Sequence, residues 1–266
     1  MLKVLKIVGA AGCLMMSVAF AFQKEPEQEN DPRKIDVVVI DAGHGGHDIG
    51  TRGRVARESR TTLKIALALG RKIKAEMPEV KVLYTRTSDV FVDLADRSAY
   101  ANKNRADLFV SIHCNYAPGS SRVKGTETYV MGLHKSEGNL AVAKRENSVI
   151  LQEADYQQKY KGFNPDSPLA HIMLANYQSA FLTSSLRFAD HVEHQFQTIT
   201  QRASRGVKQA GFLVLWRTTM PSALVETGFL SNPTEEAYLN SERGQDQVAE
   251  SLFSAFKQYK SEMERY

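Results

Sequence analysis

The chain has 266 residues, of which 42% are hydrophobic and 24% charged, with a formal net charge of +4 at neutral pH. That length holds one large domain or two small ones, and that composition excludes a disordered or collagen-like chain. So small a positive excess, with no Lys/Arg run interleaved with aromatics, argues against nucleic acid as a partner.

The first residues read as an export signal. Lys3 and Lys6 form a basic start, Ile7 to Phe20 is apolar, and Ala19-Phe20-Ala21 places small residues at a cleavage site, so the signal spans 1–21. An uncleaved anchor is the alternative, although the apolar stretch is short for a spanning helix. Cys13 after Ala11-Gly12 leaves lipid attachment open. Once the leader is removed only Cys114 remains, so no internal disulfide can form. Residues 22–34 are polar and contain Pro26 and Pro32, as a linker does, and the folded domain is predicted over 35–262.

Ile35–Asp41 is a β-branched run that ends at a Gly-rich turn and reads as a buried strand. Thr61–Met77 places Leu63, Ile65, Ala66, Leu69 and Ile73 at helical spacing before Pro78. A strand at Val80–Tyr84, a helix at Leu94–Arg105 and strands at Leu108–His113 and Gly125–Met131 follow. Residues 134–185 are more polar, with two helical patches, and read as a helical insertion. Leu186–Ile199 is an amphipathic helix, Phe212–Leu215 and Ala223–Glu226 are predicted strands, and Gln245–Tyr259 is a terminal helix. Strands alternating with helices predict an α/β three-layer sandwich with a mainly parallel twisted sheet, plus the insertion. Sites in such sheets form at the carboxyl ends of strands, where His44 and His113 fall.

His44, Glu58 and His113 are the candidate metal set, because hydrolytic zinc sites use three protein ligands and keep one position for water. Each residue also has an ordinary reading: an exposed histidine, or an acid complementing a helix dipole. Glu58 is expected in a loop just before a helix. Glu226 closes the apolar run Ala223-Leu224-Val225; it is either a salt-bridge partner or a general base.

The stretches VVVIDAGHGG, ADLFVSIHCNYAP and ALVETGFLSNPTE, with LADRSAYANKNRADLF before the second histidine, resemble the type 3 N-acetylmuramoyl-L-alanine amidases over about 35–133 and 186–260. The chain departs from that pattern at Ala42, His47, Ser59, Arg60 and Cys114. The resemblance implies one Zn²⁺ held by His44, Glu58 and His113, with Glu226 as the catalytic carboxylate. The implied reaction is hydrolysis of the amide between N-acetylmuramic acid and L-alanine in peptidoglycan, for wall remodelling or daughter-cell separation. The chain is then expected in the periplasm or at the cell wall, as a monomer. A zinc peptidase or deacetylase on the same scaffold, or a non-catalytic wall-binding protein, are the competing readings.

Some members of that family carry a helical insertion whose glutamate takes the open metal position until a LytM-domain partner draws the helix away. By that resemblance Glu146, in KRENSVIL, is the first candidate for a blocking ligand and Glu153 the second; both could equally be solvated helix charges. Arg97 and Asn115 are candidates for structural support or substrate contact. His191 and His194 lack a third ligand nearby and read as surface residues, and Cys114 is expected to face away from His113.

Overall fold

A computed structural model describes residues 34–176 and 180–265. The predicted export signal, Cys13 and all of the predicted linker except Lys34 lie outside the described residues.

Six strands form one sheet: β1 (Val37–Ala42), β2 (Lys81–Tyr84), β3 (Leu108–Asn115), β4 (Thr126–Met131), β5 (Ser204–Ala210) and β6 (Ser222–Phe229), in the order β2-β1-β3-β6-β4-β5. All neighbouring pairs are parallel except β4 with β6. β1, β3 and β6 are central and covered on both faces, which is why they read as continuous apolar runs rather than alternating ones.

Strand alternation splits the core into two layers. Val38, Ile40, Val110, Ile112 and Val225 face helices α1 (Glu58–Glu76), α6 (Leu182–Thr200) and α9 (Glu242–Met263). Those helices answer with stripes such as Ile65-Leu69-Ile73, Phe188-Val192-Phe196 and Val248-Leu252-Phe256. Val39, Phe109, Tyr129 and Leu224 face the other way, onto α2 (Leu94–Lys103), the insertion and a short helix, α7 (Leu213–Trp216). The three-layer α/β sandwich predicted from the sequence is the observed fold.

The insertion comprises α3 (Glu137–Asn147), a 3₁₀ turn (Ser148–Gln152), α4 (Tyr156–Lys159) and α5 (Pro168–Ala175); α8 (Pro233–Leu239) precedes the terminal helix. Ser136 starts α3 by accepting from Asn139 N, and Ser167 starts α5 by accepting from Ala170 N with Pro168 in the first turn.

Three local expectations change. Phe212–Leu215, predicted as a strand, carries helix α7, with Phe212 leading into it, and its apolar side chains fill the second layer. The strand in that region is β5, whose Arg205 and Lys208 suit a sheet edge and hide its period. Glu58 is not in a loop before the helix: it is the first residue of α1 and is buried.

Candidate metal centre

The turn after β1 places His44. Its φ is 61°, a left-handed conformation costly for a residue with a side chain. Two buried arginines hold it there. Arg86 donates to the carbonyls of Ala42 (2.8 Å), Gly43 (2.8 Å) and Ser59 (2.7 Å). Arg97 donates to the carbonyls of Ala42 (2.8 Å) and His44 (3.0 Å) and pairs with Asp41 at 2.8 Å. The ring is turned by Asp48, whose Oδ2 lies 2.7 Å from His44 Nδ1 and leaves Nε2 for other partners.

His113 lies near the end of β3, its ring packed on the backbone of Gly43; a Cβ there would come within 2.4 Å of the imidazole. Its Nδ1 faces the same point as His44 Nε2. Glu58 is fixed by two backbone donors, Thr51 N to Oε2 (2.7 Å) and Cys114 N to Oε1 (2.8 Å). Cys114 itself packs into the opposite layer, beside Thr227.

From the insertion, at the end of α3, comes Glu146. His44 Nε2 is 3.2 Å from Glu58 Oε2 and 3.2 Å from Glu146 Oε2; His113 Nδ1 is 3.1 Å from Glu58 Oε1 and 3.1 Å from Glu146 Oε2. The four donors lie within 4.8 Å of one another and could hold a metal ion. Two tests support the fit. Ligands about 2.0–2.1 Å from a tetrahedral zinc stand about 3.3 Å apart, close to these spacings. His44 Nε2 and Glu146 Oε2 are also buried without a hydrogen-bond partner, as expected of atoms that converge on a cation.

Electrostatics follows from the crowding. Burial disfavours the charged form of His113, yet Glu146 and Glu58 outweigh it and raise its pKa to about 9. Burial likewise opposes ionisation of Glu58, but His44 and His113 hold its carboxyl below the ordinary range. Glu226, paired in the ladder with His113, behaves oppositely. Burial, with Glu146 and Glu58 nearby, raises its pKa well above the ordinary value despite Arg145 and His113. Its Oε1 accepts from Arg145 Nη2 at 3.2 Å and its Oε2 has no hydrogen-bond partner.

The structure thus brings His44, Glu58, His113, Glu146 and Glu226 together. Glu153 does not join them. Its Oε1 accepts from Leu94 N at 2.9 Å, and Tyr160 donates to the same carboxylate, so it anchors the start of α2. Asn115 lies beside the cluster and contacts Arg145. His191 pairs with Glu262 at 2.8 Å, away from any metal set. Sequence reasoning missed Arg86, Asp48 and Arg145. Asp48, four residues after His44, carried a local signal; the arginines act through reach across the fold, which has no period. A cavity of about 360 Å³ lined by His44, Thr51, Tyr116, Arg145, Glu146 and Gln152 opens onto the cluster.

Fold and site together define an α/β-sandwich protein with a buried donor cluster that could hold a metal ion at the carboxyl edge of its sheet and a separate carboxylate beside it. More particularly, residues 38–258 match the N-acetylmuramoyl-L-alanine amidase family, and the chain belongs to that family, as type 3. AmiC of Escherichia coli O6:H1, an N-acetylmuramoyl-L-alanine amidase, is 35% identical over 226 residues, covering 84% of this chain and 52% of AmiC. The chain therefore spans about half the length of that relative. AmiA of Escherichia coli K12 is 32% identical over 222 residues, covering 81% of this chain and 73% of AmiA. Among solved structures, an N-acetylmuramoyl-L-alanine amidase of Clostridium difficile 630 superposes with a TM-score of 0.63 at 27% identity, covering 85% of this chain and 97% of that one. The catalytic domain of CwlV from Bacillus (Paenibacillus) polymyxa does so with a TM-score of 0.59 at 31% identity, covering 84% and 97%.

Proposed function

We propose that this chain is an exported, zinc-dependent amidase that cleaves the bond between N-acetylmuramic acid and L-alanine in peptidoglycan, and that its insertion holds it closed. The convergence of four donors that could hold a metal, beside a buried carboxylate with one oxygen left without a partner, carries this reading. His44, Glu58 and His113 hold the ion, and Glu146 takes the position a water would need. Zinc, when bound, supplies Lewis acidity, lowering the pKa of water and polarising a carbonyl.

The chain's own residues divide the remaining work. Glu58, with its two backbone donors and depressed pKa, is a permanent anion and a ligand. Glu226, with its raised pKa, suits proton exchange: it takes a proton from the attacking water and returns it to the leaving L-alanine nitrogen. Two carboxylates pushed apart in pKa separate these roles. Asp48, Arg86 and Arg97 fix the His44 loop so that the donors are placed before substrate arrives.

In the closed form Arg145 and Glu146 occupy both working parts, the guanidinium on Glu226 and the carboxylate on the donor set. A partner of the LytM class would open the site by withdrawing α3, which requires closed and open forms within a few kcal/mol of each other. Cell-wall remodelling or daughter-cell separation in the periplasm is the setting that suits such control, and a monomer suffices for it.

The test combines metal analysis with digestion of purified muropeptides. The full chain is expected to bind one zinc and to release stem peptides beginning with L-alanine slowly. Arg145→Ala with Glu146→Ala should accelerate release at least tenfold, and Glu226→Gln in that background should abolish it while keeping zinc. Products other than intact stem peptides, or full activity in Glu226→Gln, would refute the reading.

A further inference from the structure

Asn115 ends β3 two residues beyond His113 and is 1% exposed. Partners that can play only one role fix the direction of its side-chain amide. Nδ2 donates to Glu127 Oε2 at 3.1 Å, and a carboxylate only accepts. Oδ1 accepts from Tyr116 N at 2.7 Å and from Arg145 Nη2 at 3.0 Å, and both nitrogens only donate. The oxygen therefore faces the site and the nitrogen faces away.

Glu127 is itself held firmly. Tyr129 donates to it at 2.7 Å, Arg205 at 2.5 Å and Lys208 at 2.6 Å. It stands directly across the antiparallel ladder from Glu226, and those two cations offset the like charge. Glu226 and Glu127 consequently differ in kind: one is open to exchange, the other fully committed.

One nitrogen of the insertion joins these groups. Arg145 Nη2 donates to Asn115 Oδ1 at 3.0 Å and to Glu226 Oε1 at 3.2 Å. A nitrogen with two hydrogens sits between an amide oxygen that can only accept and the carboxylate that exchanges protons. We infer that this is the seat of the substrate's scissile nitrogen, that Asn115 Oδ1 accepts its N–H, and that Glu127 is the positioning residue that keeps that oxygen turned inward. The inference rests on the amidase reading above.

The chemistry fits a secondary amide. Its nitrogen carries one hydrogen, and once the carbonyl is attacked it also presents a lone pair. Holding the hydrogen on Asn115 turns the lone pair towards Glu226. An ester, with oxygen in place of N–H, has nothing to give Asn115, and a site built to bind an N–H discriminates against an analogue without one. Arg145 in the closed form then imitates the leaving amine.

The test uses the full chain carrying Arg145→Ala and Glu146→Ala, loaded with zinc, on a muropeptide and on its isostere with an ester in place of the lactyl amide. Asn115→Ala is expected to lower kcat/KM for the amide by roughly 10–100-fold and for the ester by less than about 3-fold, so the amide-to-ester ratio collapses. Glu127→Gln keeps the shape but lets the Asn115 amide turn over, and should lower the same ratio by about 3–10-fold. Equal losses on both substrates, or an unchanged ratio, would overturn the inference. Should Asn115→Ala fail to fold or to bind zinc, the ratio measured for Glu127→Gln decides. If the parent releases no stem peptide, the amidase reading fails and the inference fails with it; activity in the parent with an unchanged ratio removes the inference alone.

Discussion

Asp41 illustrates how buried charge is tolerated beneath the site. Its carboxylate accepts from Thr85 at 2.6 Å, Ser111 at 2.6 Å and Arg97 at 2.8 Å. Burial alone would raise its pKa, but Arg97 and the two hydroxyls outweigh it and hold the carboxyl below the ordinary value of 3.8. The native state then holds the proton more weakly than the unfolded chain. The resulting stabilisation is complete above the ordinary value and disappears as pH falls through the depressed one. Asp41→Asn leaves Arg97 buried without its anion and should cost about 3–5 kcal/mol at pH 7 by urea denaturation. The gap from wild type should narrow below about pH 4, where Asp41 of the unfolded chain begins to protonate while the folded carboxyl still resists it; a constant gap would refute the assignment. Asp48 offers a second check: Asp48→Ala frees the His44 ring and should weaken zinc binding by roughly 10–100-fold in chelator competition. His44, His113 and Glu226 were legible because each sits in or beside an apolar run or a glycine turn, and Glu58 because it falls at the start of a predicted helix between the two histidines. Arg86 and Glu127 were not, since Arg86 reaches Ala42 across 44 residues and Glu127 takes Arg205 across 78.

At the scale of elements, the central strands and the long helices α1, α6 and α9 could be read because burial writes a regular period. β5 could not, because an edge strand with Ser204, Arg205 and Lys208 resembles a loop, and α7 misled because four apolar residues in a row fit strand and helix alike. Helix α3 is pinned at its end by Asn147, which donates to Gly211 O at 2.7 Å and accepts from Leu213 N at 2.8 Å. Asn147→Ala would leave two buried backbone groups unpaired in the closed form, at about 1–3 kcal/mol. Basal muropeptide hydrolysis should rise several-fold, and Asn147→Ala should add little once Arg145→Ala and Glu146→Ala have freed the site. Unchanged basal activity in a folded variant would show that the Asn147 clamp does not hold the site closed.

For the molecule as a whole, alternation of strands and helices sufficed to give the sandwich, its mainly parallel sheet and the place of the site. It could not show how deeply the insertion belongs to the fold. Val142, Ala143, Val149, Ile150 and Tyr160 lie in the same apolar layer as Tyr129, Phe212 and Leu224. Removing 140–180 should therefore broaden or abolish cooperative thermal unfolding, whereas the paired Arg145→Ala and Glu146→Ala changes should leave the transition sharp. A sharp transition in the deletion would mean the layer closes without the insertion.

That shared layer sets a condition on the proposed opening of the site. On the proposed reading, lifting α3 would uncover not only Glu226 but also the greasy underside on which Val142, Val149 and Ile150 rest. Water is a poor companion for that surface, so a chain opened alone is driven to shut again. An activator that offers its own apolar patch to the bared surface would remove that incentive, and the wake-up signal would be a hydrophobic handshake rather than a charge.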